Sequence, residues 1–146
     1  MKTVRQIIQK REIFSVSPAQ SVLDAVKMMV EKKVGAIGVV DHEKLVGIFS
    51  ERDLMKRVVA QGLDPKQVHI SEVMTPEPVT VEGVETYDRC LQKMKQINSR
   101  HMPVCEKGKL VGMISIRDLL NEHLSQKEDE INMMSAYIQD APHPPK

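Results

Sequence analysis

Apolar residues recur at helical spacing in two separate stretches of the chain. Tyr87, Cys90, Leu91, Met94 and Ile97 fall at i, i+3, i+4, i+7 and i+10, and Val22, Leu23, Ala25, Val26, Met29 and Val30 form a broader stripe. Each pattern predicts an amphipathic helix with one face in a core. Ser21 and Thr86 stand just before these stripes and predict the N-caps. Two short apolar runs follow each helix: Ala36–Val40 and Leu45–Phe49, then Met102–Cys105 and Leu110–Ile114. Their polar connections, Asp41–Lys44 and Glu106–Lys109, predict hairpins with four-residue loops. Phe14–Val16 and Val79–Val81 predict extended lead-ins, and a closing helix is expected after Ser50 and after Ser115. The predicted order is strand–helix–strand–strand–helix, twice over, behind an opening helix around Thr3–Lys10.

The two stretches are copies of one another. Lys44-Leu45-Val46-Gly47, Ser50 and Arg52-Asp53-Leu54 return as Lys109-Leu110-Val111-Gly112, Ser115 and Arg117-Asp118-Leu119. A repeated supersecondary unit cannot bury its apolar face alone, so the copies must pack on each other, and the groove between them is a natural ligand site. Between them, Gln61–Glu72 with Gly62 and Pro65 reads as a linker, and Met74-Thr75-Pro76-Glu77-Pro78 as an extended entry to the second copy. Past the second copy, Leu119 to about Gln139 contains neither Gly nor Pro. It reads as one long helix with a stripe of Leu120, Leu124, Ile131, Met134 and Ile138, expected to pack on the repeats or on another subunit. Ala141–Lys146 reads as an unstructured tail.

Size and composition narrow the function. The chain of 146 residues suits one domain, or two small halves sharing a core. A net charge of +1 and an aromatic content of 3% argue against a nucleic-acid surface. No run approaches the length of a membrane span, and the N-terminus lacks the apolar core of a signal peptide. Cys90 and Cys105 sit at apolar phases and read as buried thiols in a reducing, cytoplasmic setting. His42, His69, His123 and His143 lack metal-ligand spacing, and no metal is expected.

The chemistry concentrates in Ser50-Glu51-Arg52-Asp53 and Ser115-Ile116-Arg117-Asp118. The plain reading is a capping box, in which Ser caps the helix and the acid three residues on reaches back. Capping gives no reason for Arg at the second helical position, where a cation opposes the dipole. A phosphate does, because guanidinium grips it bidentately. The neighbouring Asp cannot bind phosphate but can accept both hydroxyls of a ribose. Arg100-His101, at the mouth of a second-copy strand, adds phosphate-binding candidates; Gly35-Ala36 at the matching place lets a ligand approach the backbone.

Val16-Ser17-Pro18, the segment VVDHEKLVGIFSERDL, the entry MTPEPVTV and the pair RHMPV with KLVGMISIRDLL resemble a tandem pair of cystathionine-beta-synthase (CBS) domains, a Bateman module. The resemblance covers Val4 to about Leu124 and is closest to small stand-alone CBS proteins. It implies an α+β fold of two β-α-β-β-α repeats, with three-stranded sheets related by a pseudo-twofold axis, and a homodimer. Boundaries then fall at 1–11 (N-terminal helix), 12–60 (first repeat), 61–72 (linker), 73–124 (second repeat) and 125–146 (C-terminal helix and tail). It also implies an adenosine ligand (AMP, ADP, ATP, NAD or S-adenosylmethionine) in the cleft between repeats. Asp53 and Asp118 would bind ribose. Ser50, Arg52, Arg100, His101, Ser115 and Arg117 would serve phosphates, and Val16, Gly35, Ala36, Ile37, Val81, Met102 and Pro103 would surround the adenine. Two positions depart from the family pattern: Gly38 stands where Pro is usual, and Arg100 where Gly is usual. The expected role is a non-enzymatic sensor that signals to an effector protein, without membrane or nucleic acid. The rival reading is an interaction protein with vestigial sites; an enzyme is a distant third, because no activated nucleophile or phosphate-cradling glycine loop is present.

Overall fold

The structure is a computed structural model, and it describes residues 1–140. The tail expected at Ala141–Lys146 lies outside the described residues.

The repeat seen in the sequence is reproduced element by element. Helix α2 (Val22–Lys32) starts where Ser21 Oγ accepts the Asp24 amide at 3.1 Å, and helix α5 (Tyr87–Ile97) starts under the same bond from Thr86 to Arg89. Each ends on a residue in the left-handed region, Lys33 at φ 58° and Asn98 at φ 52°. Val22, Ala25 and Met29 face one core; Tyr87, Cys90, Leu91 and Met94 face the other.

Strands β2 (Ala36–Asp41) and β3 (Lys44–Ser50) form the first hairpin, and β5 (His101–Glu106) and β6 (Lys109–Ser115) the second. Both are antiparallel, with register shifts at Val39/Val40 and at Val104/Cys105. The loops are tighter than the four residues expected, because Asp41 pairs with Lys44 and Glu106 with Lys109. What remains is His42-Glu43 (φ 49° and 68°) and Lys107-Gly108 (φ 54° and 78°). Two consecutive positive φ values match the right-handed twist of the flanking strands.

The sheets are less alike than the resemblance implies. Strand β1 (Ser15–Val16) runs parallel to β2, and β4 (Thr75–Pro76) adds antiparallel to β3, giving the order β1-β2-β3-β4. The second sheet is β5-β6, extended by a single parallel bridge from Val81 to Val104. Thr75 and Pro76, read as an entry to the second copy, therefore belong to the sheet of the first.

The short helices are exchanged between the repeats. Helix α1 (Val4–Ile8) precedes the first repeat but buries Val4 and Ile8 in the core of the second, against Val81, Met94, Met102 and Ile114. Helix α4 (Ile70–Val73) precedes the second repeat but buries Ile70 and Val73 in the first core, against Val16, Ile37 and Phe49. The tethers correspond: Ile70 N donates to Gln20 O (2.9 Å) as Val4 N donates to Glu85 O (2.8 Å), and Val22 N to Val68 O as Tyr87 N to Lys2 O. Helices of four and five residues have no stability of their own, so their packing holds them. The stretch expected as a linker thus contributes Ile70 to the first core.

The closing segment of the first repeat is a helical turn, α3 (Glu51–Asp53), that widens into a π-helical stretch, Leu54–Val59. Its counterpart α6 runs unbroken from Ile116 to Asp140. Leu119 is fully buried, whereas Leu124, Ile131, Met134 and Ile138 are 60–67% exposed, so the distal half of α6 leaves its apolar stripe uncovered by this chain. No helix of the described residues is long and apolar enough to cross a membrane. Cys90 and Cys105 are buried free thiols, and burial pushes Cys90 up to about 11.

Candidate functional site

The two Ser–Asp turns close on themselves as capping boxes. Asp53 Oδ2 accepts the Ser50 amide at 2.9 Å and the Ser50 hydroxyl at 3.1 Å, while Ser50 Oγ accepts the Asp53 amide at 3.2 Å. Asp118 Oδ2 accepts the Ser115 amide at 2.8 Å, and Ser115 Oγ accepts the Asp118 amide at 3.1 Å. Capping uses only one oxygen of each carboxylate. Asp53 Oδ1 faces the Arg57 guanidinium at 3.7 Å, beyond hydrogen-bond length. Asp53 is the one buried charged side chain among the described residues, and it sits in the wall of a cleft.

Each cleft joins the closing turn of one repeat to the strand entry of the other. In the first, Ser50, Arg52 and Asp53 face Asn98–His101 and Pro103, with Thr75 and Glu77–Val79 along a third side. In the second, Ser115, Arg117 and Asp118 face Lys33–Ala36, with Arg11 and, deeper in, Ile13, Phe14 and Gly38. Position by position the walls correspond: Ile48 with Met113, Pro103 with Gly38, Val79 with Phe14, and, after a one-residue slip, Glu77 with Arg11. The second cleft is the larger, a mouth of about 860 Å³ opening beside an apolar recess of about 300 Å³, against about 360 Å³ for the first. Glu51, Arg100 and His101 line both clefts and form the partition between them.

The site residues expected from sequence divide by where they lie. Ser50, Arg52, Asp53, Arg100, His101 and Pro103 converge on the first cleft. Gly35, Ala36, Ser115, Arg117 and Asp118 converge on the second, and Ile37 lines its recess. Val16, Val81 and Met102 do not reach either wall: their side chains are 2%, 1% and 0% exposed and lie inside the two hydrophobic cores. Strand alternation explains this, because Val16 pairs with Val39 and Val81 with Val104 on the core side of each sheet. The apolar walls come instead from residues slightly earlier in each lead-in, Ile13-Phe14 and Pro78-Val79. At Gly38, where the second copy has Pro103, a Cβ would lie 2.7 Å from Leu110 Cδ2, so that side chain would have to turn away.

Sequence reasoning also missed Arg11 and Glu77. Both precede the stretch over which the copies align without a gap, and they correspond only after a one-residue slip. The parallel between the segments following α1 and α4 was the signal available.

The cleft electrostatics are set by burial and by a few partners. Burial holds the His101 imidazole below its ordinary value of 6.5; Glu51 and Asp118 push the other way, and Arg100 assists. Burial alone would raise Asp118, but its hydrogen bonds to Arg11 and Ser115 outweigh this and hold it below 3.8. Among the described residues, no cluster of His, Cys, Asp or Glu is arranged to hold a metal ion.

Comparison with known proteins agrees with this architecture. The CBS domain model matches residues 4–60 and 70–125. The mitochondrial CBS domain-containing protein CBSX3 of Arabidopsis thaliana is 34% identical over 124 residues, 82% of this chain and 60% of the relative. The chain therefore spans about three fifths of that protein, and only 25% of the Arabidopsis relative CBSCBSPB2. A CBS-domain protein from Burkholderia ambifaria superposes with a TM-score of 0.79 at 38% identity, covering 85% of this chain and 95% of that one. CBSX2 of Arabidopsis thaliana, solved in complex with AMP, superposes with a TM-score of 0.71 at 26% identity, covering 87% and 99%.

Proposed function

The chain belongs to the CBS-domain family, and we propose that it is a regulatory module that binds an adenine ribonucleotide between its repeats and passes the occupancy to a partner protein. The observation that carries this reading is Asp53: a carboxylate committed to a cap through Oδ2 that keeps Oδ1 for a second partner in a cleft wall. Two vicinal hydroxyls are the natural donors to such a group. Ile48, Pro78, Val79 and Pro103 offer apolar surface to a base, and Arg52, Arg100 and His101 offer charge to phosphates on the side of the partition. The AMP complex of the structurally similar CBSX2 supports a ligand of this class, with AMP, ADP, ATP and NAD as the candidates.

Binding rather than turnover is the proposed activity. The output passes through a homodimer or an effector protein, since a ligand shifts an equilibrium only by binding one state better than another. The free buried thiols favour a reducing compartment, cytoplasmic in our reading, although the CBSX3 relative is mitochondrial.

The capping boxes favour a second reading, an interaction protein in which both Asp residues serve only the helix ends. A thermal-shift panel with AMP, ADP, ATP, NAD and S-adenosylmethionine separates the two. A ligand at 100 times its Kd adds about 2.7 kcal/mol, roughly 5–11 °C for a chain of this size. The nucleotide reading requires that shift in the wild type and its loss in Asp53→Ala/Asp118→Ala. No shift at millimolar ligand would leave the interaction reading standing.

A further inference from the structure

The clefts are built from matching positions, yet Arg11, which pairs with the carboxylate of the second cleft, has its counterpart in the first in Glu77, of opposite charge. Arg11 follows α1 as Glu77 follows α4. In the first cleft, Glu77 cannot pair with Asp53, and Asp53 Oδ1 keeps only the distant Arg57. In the second, Arg11 Nη2 donates to Asp118 Oδ1 at 2.9 Å and Nη1 to Oδ2 at 3.0 Å, while Oδ2 also takes the Ser115 amide. Both oxygens that a ribose would use are occupied. Arg11 lines the mouth and the apolar recess alike, so the residue stands between the space suited to a base and the space suited to phosphates.

The mouth beyond it carries Lys33, Arg100 and Arg117. A forked guanidinium–carboxylate pair is not displaced by neutral hydroxyls alone, because releasing Arg11 leaves its charge beside these cations. An anion that takes over the guanidinium removes that penalty, and phosphate oxygens match the same fork. The mouth holds four cations against the carboxylates of Glu51 and Asp118; a di- or triphosphate chain brings more negative charge than one phosphate, and reaches further from the base to the outer cations.

We infer that the two clefts are unequal receptors: the Asp53 cleft takes an adenine ribonucleotide, a monophosphate included, as the chain stands, whereas Arg11 holds the Asp118 cleft shut until a di- or triphosphate replaces Asp118 as its partner. This rests on the nucleotide reading above and goes further by assigning a ligand class to each cleft. Arg11 is here a gate, and selectivity follows from what can bind a guanidinium more firmly than Asp118 does.

Isothermal titration with AMP and with ATP tests it. The wild type is expected to bind one AMP per chain, lost in Asp53→Ala, and two ATP per chain. Arg11→Met, which keeps the length and removes the charge, is expected to bind two AMP per chain, the second lost again on adding Asp118→Ala. Arg11→Gln gives a second uncharged variant, and a melt of each checks folding. Two equal AMP sites in the wild type, a single AMP site in both uncharged variants, or a single ATP site in the wild type would each overturn the inference. Failure of AMP and ATP to bind the wild type and both Arg11 variants alike is a different result: it removes this inference, and a blank with ADP and NAD as well removes the nucleotide reading itself.

Discussion

Gly47 in β3 lies against Met74, the residue by which the chain leaves α4. A Cβ on Gly47 would stand 3.0 Å from Met74 Cγ and 3.1 Å from the Thr75 carbonyl oxygen. At the matching glycine of the second repeat, Gly112, an added Cβ would stand 2.6 Å from Ile8 Cδ1. Each glycine therefore admits the helix contributed from the segment before the other repeat.

Gly47→Ala is expected to destabilise the fold by about 1–3 kcal/mol, the range for overpacking a filled site. Backbone stands in the way there, as β4 is paired to β3 through Ile48 and Thr75. Gly112→Ala should cost less, because the obstacle is the far end of a side chain that can turn away. Urea unfolding of both variants measures the difference. Equal stability of Gly47→Ala and wild type would show that β4 detaches without cost.

Asp53→Asn separates the cap from the ligand. An amide oxygen can still accept the Ser50 amide, so stability should stay within about 0.5–1.5 kcal/mol of wild type, one hydrogen bond's worth. The charge and one acceptor are lost, and hydrogen bonds to charged groups contribute about 1.5–3 kcal/mol. Nucleotide affinity at the Asp53 cleft should therefore fall roughly tenfold to a hundredfold. Paired melting and titration read both quantities; unchanged affinity would take Asp53 out of the ribose role.

His101 makes phosphate binding pH-dependent. Burial keeps the imidazole neutral below its ordinary 6.5 in the free chain, with Glu51, Asp118 and Arg100 as its charged neighbours. A phosphate beside it raises that value, so the bound form holds more protons than the free form around and below pH 6.5. Affinity for AMP should rise as the pH falls from 7.5 to 6, by at most about tenfold per unit for one proton. Adenosine should show no such slope. His101→Gln should flatten the AMP profile, and a slope that survives it would assign the proton elsewhere.

Asp118 contributes to acid sensitivity. Its folded value lies below 3.8 because Arg11 and Ser115 outweigh the effect of burial. Below 3.8 the unfolded chain therefore binds more protons at this group, and the stability it confers is complete above that pH and lost as the pH falls through the folded value. Arg11→Met should be less stable than wild type at pH 7, with the gap closing toward pH 3. Urea midpoints from pH 7 to pH 3 check this; a constant gap would mean that Arg11 acts through packing and not through charge.

The repeat, the order of its main elements and the two Ser–Asp turns were legible because Lys44–Leu54 recurs almost intact and helical spacing over Tyr87–Ile97 admits one reading. The exchange of α1 and α4 was not legible. Four or five residues carry too little periodicity to show which sheet they meet, and the linker's Ile70 looks like any other isolated apolar residue. Val16, Val81 and Met102 lie close in sequence to cleft residues, but a strand turns alternate side chains to opposite faces, and theirs face the cores. Arg11 was overlooked because its partner, Asp118, is 107 residues away in the chain.

The exchange of short helices also constrains how the protein can be made. Helix α1 is synthesised ahead of both repeats, yet Gly112 and Ile114, which it covers, follow only late in the second repeat. At usual elongation rates of 5–20 residues per second, the opening segment waits roughly 5–20 s for its partner. Throughout that interval Val4 and Ile8 are unsheltered while the first repeat can already close with Ile70 and Val73. Assembly order is thereby written into the topology: the repeat translated first is finished first, and α1 completes the second repeat last.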